Sequence, residues 1–331
     1  MRRLLLGLTI ASLLSLALAG RAEACDLSVP RDTSFAAWST FLKIRKTHPD
    51  IRLFPAECPE GVRLSRDLTY SSAATRPLHA DVARPDNDSL YPAVIMIHGG
   101  GWNSGDKSLQ LPMALQLAAK GFVAIPVEYR LTPEARYPAA LHDIKTAVRW
   151  VRSHADSLGV DPQRIAVAGC SAGAQLATLV GVTNGSERHE GAGDHAEASS
   201  RADAIVSIDG IATFISPSNY EDAYGRLNRK HQRPVNSLWL GGMPHEVPDT
   251  WTEASALMWI TPDSAPICFI NSDLPRYSDG RDALRAIYET LGIYSEAHMI
   301  GSDFHPFWLF DGYAQPTVEL TANFLKKVFN P

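Results

Sequence analysis

The stretch "RIAVAGCSAGAQLATLV", Arg164 to Val180, decides how the rest of the chain is read. Ile165 to Ala168 is an apolar run with the character of a buried strand, and from Ala172 to about Val182 the pattern is that of a buried helix. Between them stand Gly169, Cys170, Ser171, Ala172 and Gly173. A strand that reverses into a helix over so few residues needs small side chains two before and two after the serine. The turn then lifts the serine oxygen above the sheet and aims the helix N-terminus at it. By itself G-x-S-x-G is a weak pattern, since any glycine- and serine-rich turn can match. Set between a strand and a helix, it marks Ser171 as a nucleophile.

A second glycine cluster lies upstream in "VIMIHGGGWNSGDKS", Val94 to Ser108. Gly99, Gly100 and Gly101 follow directly on an apolar run and give up backbone order that other residues would keep. Bare peptide N–H groups at a strand end suit an oxyanion, whose charge preorganised donors stabilise as it develops. Gly99 and Gly100 are the expected loop donors, joined by the N–H of Ala172. His98 reads as a structural residue holding the loop.

A serine nucleophile needs a base, and the order serine, acid, histidine places that base after the last strand. His305 in "MIGSDFHPFWLFDGY" stands there, five residues past Ile300. The orienting acid is expected just beyond the preceding strand, in "PICFINSDLPRYSDGRDAL". Asp273 is the first choice and Asp282 the alternative, with a serine–histidine dyad if neither fits. Asp279 reads as a solvated turn residue. Arg276 lies where it would meet substrate, as do Trp102 beside the glycine loop and Phe307 beside His305.

Around these motifs, strands alternate with helices. Strands are expected at 77–82, 93–97, 122–127, 164–168, 204–208, 266–270 and 296–300, and helices at 138–155, 172–182, 283–291 and 317–328. That alternation predicts a mostly parallel sheet with helices on both faces. Asn184 to Arg201 reads as a mobile surface loop. Ile211 to Asp263 reads as an insertion of the kind that covers a site. The division expected is a leader over 1–24, an N-terminal extension over 25–60 and one catalytic domain over 61–331, with 211–263 as its lid.

The leader reading rests on Arg2 and Arg3, a run of ~16 apolar residues, and Ala22-Glu23-Ala24 as a cleavage site. The run is shorter than the roughly 20 residues a spanning helix needs, so export with cleavage is expected, to the periplasm or outside the cell. Lipid attachment at Cys25 is the lesser alternative, because Glu23 spoils a lipobox. Cys25 and Cys58 are candidates for a disulfide; Cys170 and Cys268 read as buried thiols. With 331 residues, 45% of them hydrophobic, and a formal charge of −5, nothing favours nucleic acid or an anionic membrane surface as partner. No pairing of histidine with carboxylates has ligand spacing along the chain, so neither metal nor cofactor is expected.

From about Leu64 to Val328 the chain resembles the α/β-hydrolase fold, specifically esterases that carry an HGGGW oxyanion loop. The segments "VEYRLTPEARYPAALHDIKTAVRWVRSHADSLGVDPQRIAVAGCSAG" and "FHPFWLF" are similar to those of bacterial carbohydrate esterases, including feruloyl-esterase-like, xylan acetylesterase and pectin esterase groups. The resemblance implies a secreted serine esterase acting on acetyl, methyl or feruloyl esters of plant polysaccharide, through an acyl-enzyme. A general carboxylesterase or lipase with a greasier pocket is the alternative; a serine peptidase and a non-catalytic sugar-binding relative are the more distant ones. The elbow departs from the group in lacking a Gly-Gly pair. The acid turn lacks Asp-x-x-Val-Pro, which leaves the acid open.

Overall fold

The computed structural model describes residues 34–72, 74–230 and 232–330. The expected leader, its cleavage site and Cys25 lie outside them. Eight strands form one sheet: β1 (Val62–Ser71), β2 (Leu78–Pro85), β3 (Tyr91–Ile97), β4 (Val123–Val127), β5 (Val160–Cys170), β6 (Ala204–Ile208), β7 (Ile267–Asn271) and β8 (Ser295–Met299). Their spatial order is β1-β2-β4-β3-β5-β6-β7-β8. β1 and β2 run antiparallel to their neighbours and all later pairings are parallel.

The central strands are apolar along their whole length because both faces of the sheet are covered. Within β3 the period of two sends Ile95 and Ile97 into one core cluster, and Val94 and Met96 into the other. Helices Ala139–Ser153 and Ala172–Val182 belong to the first core; Leu111–Ala119 and Ala314–Phe329 belong to the second. Cys170 and Cys268 are buried thiols, as expected. Cys58 is exposed and donates its thiol to the Val62 carbonyl at 3.3 Å.

Register brings the two glycine motifs together. β3 lies between β4 and β5, so the chain crosses from β3 to β4 on one side and then back past β3 to β5 on the other, which opens a crevice at the carboxyl ends. Ile97 pairs with Gly169 and Cys170 pairs with Ile208. The loops leaving β3, β5 and β6 therefore emerge side by side.

Three stretches outside the strand-helix rhythm prove anchored. The extension forms helix Ala37–Ile44, then bridges Leu53 to Phe310 and buries Phe54 against the second core. The segment 184–201, expected as a mobile loop, is pinned at its middle by charge. The buried Lys145 ammonium donates to Glu190 at 2.8 Å, and Asn184 bonds the Ala202 carbonyl at 2.9 Å. The 211–263 insertion carries helices Pro217–Lys230, Val235–Leu240 and Pro248–Glu253. Asp279 ties it down by accepting from Ser216, Ser218 and Asn219, so that residue is a structural anchor and not the solvated turn residue expected.

Candidate active site

Ser171 sits at the β5 turn with φ 56° and ψ −119°, a conformation that a non-glycine residue adopts only when its surroundings enforce it. The enforcement is steric and visible. A Cβ on Gly169 would lie 2.1 Å from the Gly173 carbonyl oxygen, and one on Gly173 would lie 2.1 Å from that of Ile97. Both flanking positions are closed to larger residues. The Ser171 N–H donates to the Ile208 carbonyl at 2.9 Å, locking the turn to β6.

His305 meets Ser171: Nε2 is 2.7 Å from the serine Oγ. Its other nitrogen, Nδ1, is 2.8 Å from Oδ2 of Asp209, which is fully buried. An ionised carboxylate only accepts, so Nδ1 carries the hydrogen and Nε2 is left to accept from the serine hydroxyl. The phenol ring of Tyr277 lies flat on the imidazole, and Trp308 meets it edge-on. Burial pulls the His305 pKa below its ordinary value, with Arg276 acting the same way, while Asp209 opposes both by hydrogen bond and charge. The outcome is a neutral imidazole ready to take a proton.

The carboxylate at the histidine is therefore neither Asp273 nor Asp282. Asp273 is exposed, its backbone N–H bonded to the Ser302 carbonyl. Asp282 bonds Arg281 at the start of helix Arg281–Leu291. Asp209 is the residue after β6, one strand earlier than expected. Because Cys170 pairs with Ile208, the next residues out, Ser171 and Asp209, leave adjacent strands. β7 still contributes: the Ser272 N–H and hydroxyl both donate to Asp209, at 2.8 Å each to its nearer oxygen. The local signal was "SIDG", a carboxylate capping an apolar strand. Gly210 lets that turn approach the elbow helix, since a Cβ there would lie 2.3 Å from that of Ala174.

A cavity of about 430 Å³ opens over Ser171 and His305. Gly100, Gly101 and Ala172 line it, and none of their N–H groups is engaged elsewhere among the described residues. Gly99, expected as a donor, is buried and does not line it; a Cβ there would meet the Cys170 oxygen at 2.9 Å. Its place is to let β3 close against the elbow. The available donors are thus shifted one residue, to Gly100 (φ 129°) and Gly101 (φ 61°). His98 holds this loop by donating from Nδ1 to the Gly99 carbonyl and stacking on Tyr129.

Trp102 lines the cavity, stacked on Trp239 with its indole N–H on Gln175. Arg276 lines it as well. Phe307 does not: it is fully buried in the second core, because the turn after His305 points it inward. The insertion adds Asn219, Asp222, Arg226, Pro234, Val235 and Asn236, and the extension adds Ser34 and Phe35. Neither contribution is legible from motifs.

One ligand-type trio, outside the cavity, does come together. Cys268, Glu296 and His298 have donor atoms within 4.8 Å of one another across β7 and β8. Spacing along the chain misses it because strand pairing makes it. Glu296 there accepts from Tyr294 and faces His298 Nε2 at 3.1 Å. No helix among the described residues is long and apolar enough to cross a membrane.

The BD-FAE family pattern matches residues 80–275, a span that holds Ser171 and Asp209 and stops short of His305. Esterase LipC of Mycobacterium tuberculosis is 30% identical over 248 residues, 72% of this chain and 58% of that protein. Carboxylesterase NlhH of the same species is 43% identical over 140 residues, 42% of each chain. The chain thus spans about half the length of the curated relatives it matches. Among solved structures, a truncated carbohydrate esterase from gut microbiota superimposes with a TM-score of 0.66 at 23% identity, over 80% of this chain and 96% of that one. The sheet order, the elbow and the family match agree: this chain is an α/β-hydrolase and belongs to the BD-FAE family.

Proposed function

We propose that the protein is an exported serine esterase that removes small acyl groups, acetyl foremost, from hydroxylated alcohols such as sugars. The observation that carries this reading is the Ser171–His305–Asp209 relay opening onto a cavity lined by peptide N–H groups. His305 Nε2 takes the serine proton as Oγ attacks the ester carbonyl, and Asp209 stabilises the imidazolium. Charge on the carbonyl oxygen is met by the N–H groups of Gly100, Gly101 and Ala172. Collapse breaks the bond to the alcohol, which leaves with the His305 proton. Water then repeats the sequence on the acyl-enzyme and releases the acid. No metal or redox group enters this scheme.

The esterase names of the sequence relatives support the reaction class. A short acyl group suits Trp102, whose ring is backed by Trp239 and Phe214 and has no room to retreat. A hydroxylated alcohol suits the asparagines and charged groups on the insertion side. The lipase alternative would use the same relay, so chain-length preference is what separates the two. Release of acetate from acetylated xylan and acetylated pectin, beside 4-nitrophenyl acetate, butyrate and octanoate, tests the reading. Turnover of the acetyl esters with a steep fall beyond butyrate is expected; a rising rate with chain length overturns it in favour of a lipid esterase.

A further inference from the structure

We propose that the alcohol half of the substrate carries a carboxylate, as an acylated uronic acid does, and that Arg226 and Arg276 recognise it. The inference rests on the esterase reading above and names the substrate class of the same site.

Two guanidinium groups line the cavity and share one carboxylate. Arg226 Nε lies 3.0 Å from both oxygens of Asp222, and Arg276 Nη2 lies 3.2 Å from Oδ2 of the same residue. Among the described residues of the lining the one other carboxyl side chain, Asp209, is fully buried on His305 and Ser272. The lining thus sets two guanidinium groups at the cavity surface against Asp222 beside them and the buried Asp209 beneath, so what this wall offers a ligand is its open guanidinium edges and not a net charge. Each guanidinium has five N–H groups in a planar fork, and most of those on Arg226 and Arg276 have no acceptor among the described residues. Arg276 is 53% exposed at its side chain, so its free edge is open to a ligand. A second carboxylate completes the pair as Asp222 begins it, through charge-assisted and bidentate bonds.

The chemistry says which half of the ester lies there. His305 hands its proton to the departing alcohol, so the alcohol sits on the imidazole side of Ser171. Tyr277 stacks on that imidazole at 3.4 Å between centroids, and Arg276 lies over Tyr277 with its guanidinium carbon 5.5 Å from the ring centre. The two guanidinium groups are reached by following the leaving group outward. The acyl half points the other way, to Trp102 and the glycine loop.

Two probes that differ only at one carbon test this: the mono-acetyl ester of a methyl galacturonoside and that of the matching methyl galactoside. At low ionic strength the acidic ester is expected to have a kcat/KM at least about tenfold higher. The ratio should shrink with added sodium chloride, since such attraction is screened beyond about 10 Å at 0.1 M salt. In Arg226→Gln/Arg276→Gln the ratio should fall below about threefold. Because the readout is a ratio, general loss of activity or of folded protein does not mimic the result, and the salt series on the unaltered chain stands without any variant. Equal kcat/KM for the two esters, a ratio indifferent to salt, or a ratio that survives the double substitution each overturn the inference alone. Hydrolysis of 4-nitrophenyl acetate without hydrolysis of either sugar ester also overturns it. Failure on all three esters overturns the esterase reading itself.

Discussion

Tyr277 lies face to face with His305, its ring 3.4 Å away and tilted by only 6°. The stack fixes the imidazole plane between two oxygen partners that pull along its edges, Ser171 Oγ and Asp209 Oδ2. A ring held on its face and at both nitrogens cannot swing out, so the proton path is preorganised before substrate arrives. Tyr277→Phe, which keeps the face, should leave kcat within about threefold. Tyr277→Ala should lower kcat by about tenfold with little change in KM, measured on 4-nitrophenyl acetate. Equal losses in the two variants would place the effect in the hydroxyl and not in the stack.

Ser171→Ala should reduce ester turnover by about 10⁴-fold or more, as removal of a triad serine does. It should also abolish labelling by a fluorophosphonate probe, with an unchanged melting temperature. Intact-mass analysis of the labelled protein locates the adduct; an adduct elsewhere would move the nucleophile.

Asp209→Asn removes the charge that orients His305 and stabilises its protonated form, and should lower kcat by roughly 10³–10⁴. Asp273→Asn and Asp282→Asn should each cost less than about threefold, since neither side chain reaches the histidine. Steady-state kinetics on the three variants ranks them. A large loss in Asp273→Asn would show that the loop after β7 rearranges during turnover.

The pH profile follows from the imidazole. Burial, with help from Arg276, holds the His305 pKa below the ordinary histidine value of about 6.5. The reactive form is the neutral ring, so kcat/KM should rise with pH through that lowered pKa and be flat by neutrality. Arg276→Gln removes a cation that disfavours protonation, so the acid limb should move to higher pH. A shift in the opposite direction would exclude Arg276 as the source of the effect.

Gly100→Ala places a Cβ 2.0 Å from the Ser104 carbonyl oxygen, at a φ of 129° that side chains rarely adopt. The loop must move, and its N–H moves with it. Loss of one oxyanion donor typically costs about 3 kcal/mol, so kcat should fall by roughly 10²–10³. The same change should lower the melting temperature, which differential scanning calorimetry reads directly.

What the sequence determined by itself was local. The elbow at Ser171, the glycine loop after β3, the alternation of strands and helices, and the position of His305 beyond the last strand all follow from runs of fewer than about 20 residues. Their cause lies in neighbouring residues: a glycine for a close approach, an apolar period for a buried face. Only tertiary structure decided which carboxylate serves the histidine. Asp209 and Asp273 each follow an apolar strand, and the β5–β6 register, with Ser272 donating to Asp209, selects between them. Register likewise moved the available N–H donors from Gly99 to Gly101, because Gly99 is consumed in packing β3 against the elbow. The inward turn of Phe307, the cross-strand trio at Cys268 and the joining of Arg226 to Arg276 through Asp222 are of the same kind. Each depends on segments dozens of residues apart meeting in space, and no short stretch of chain carries that information.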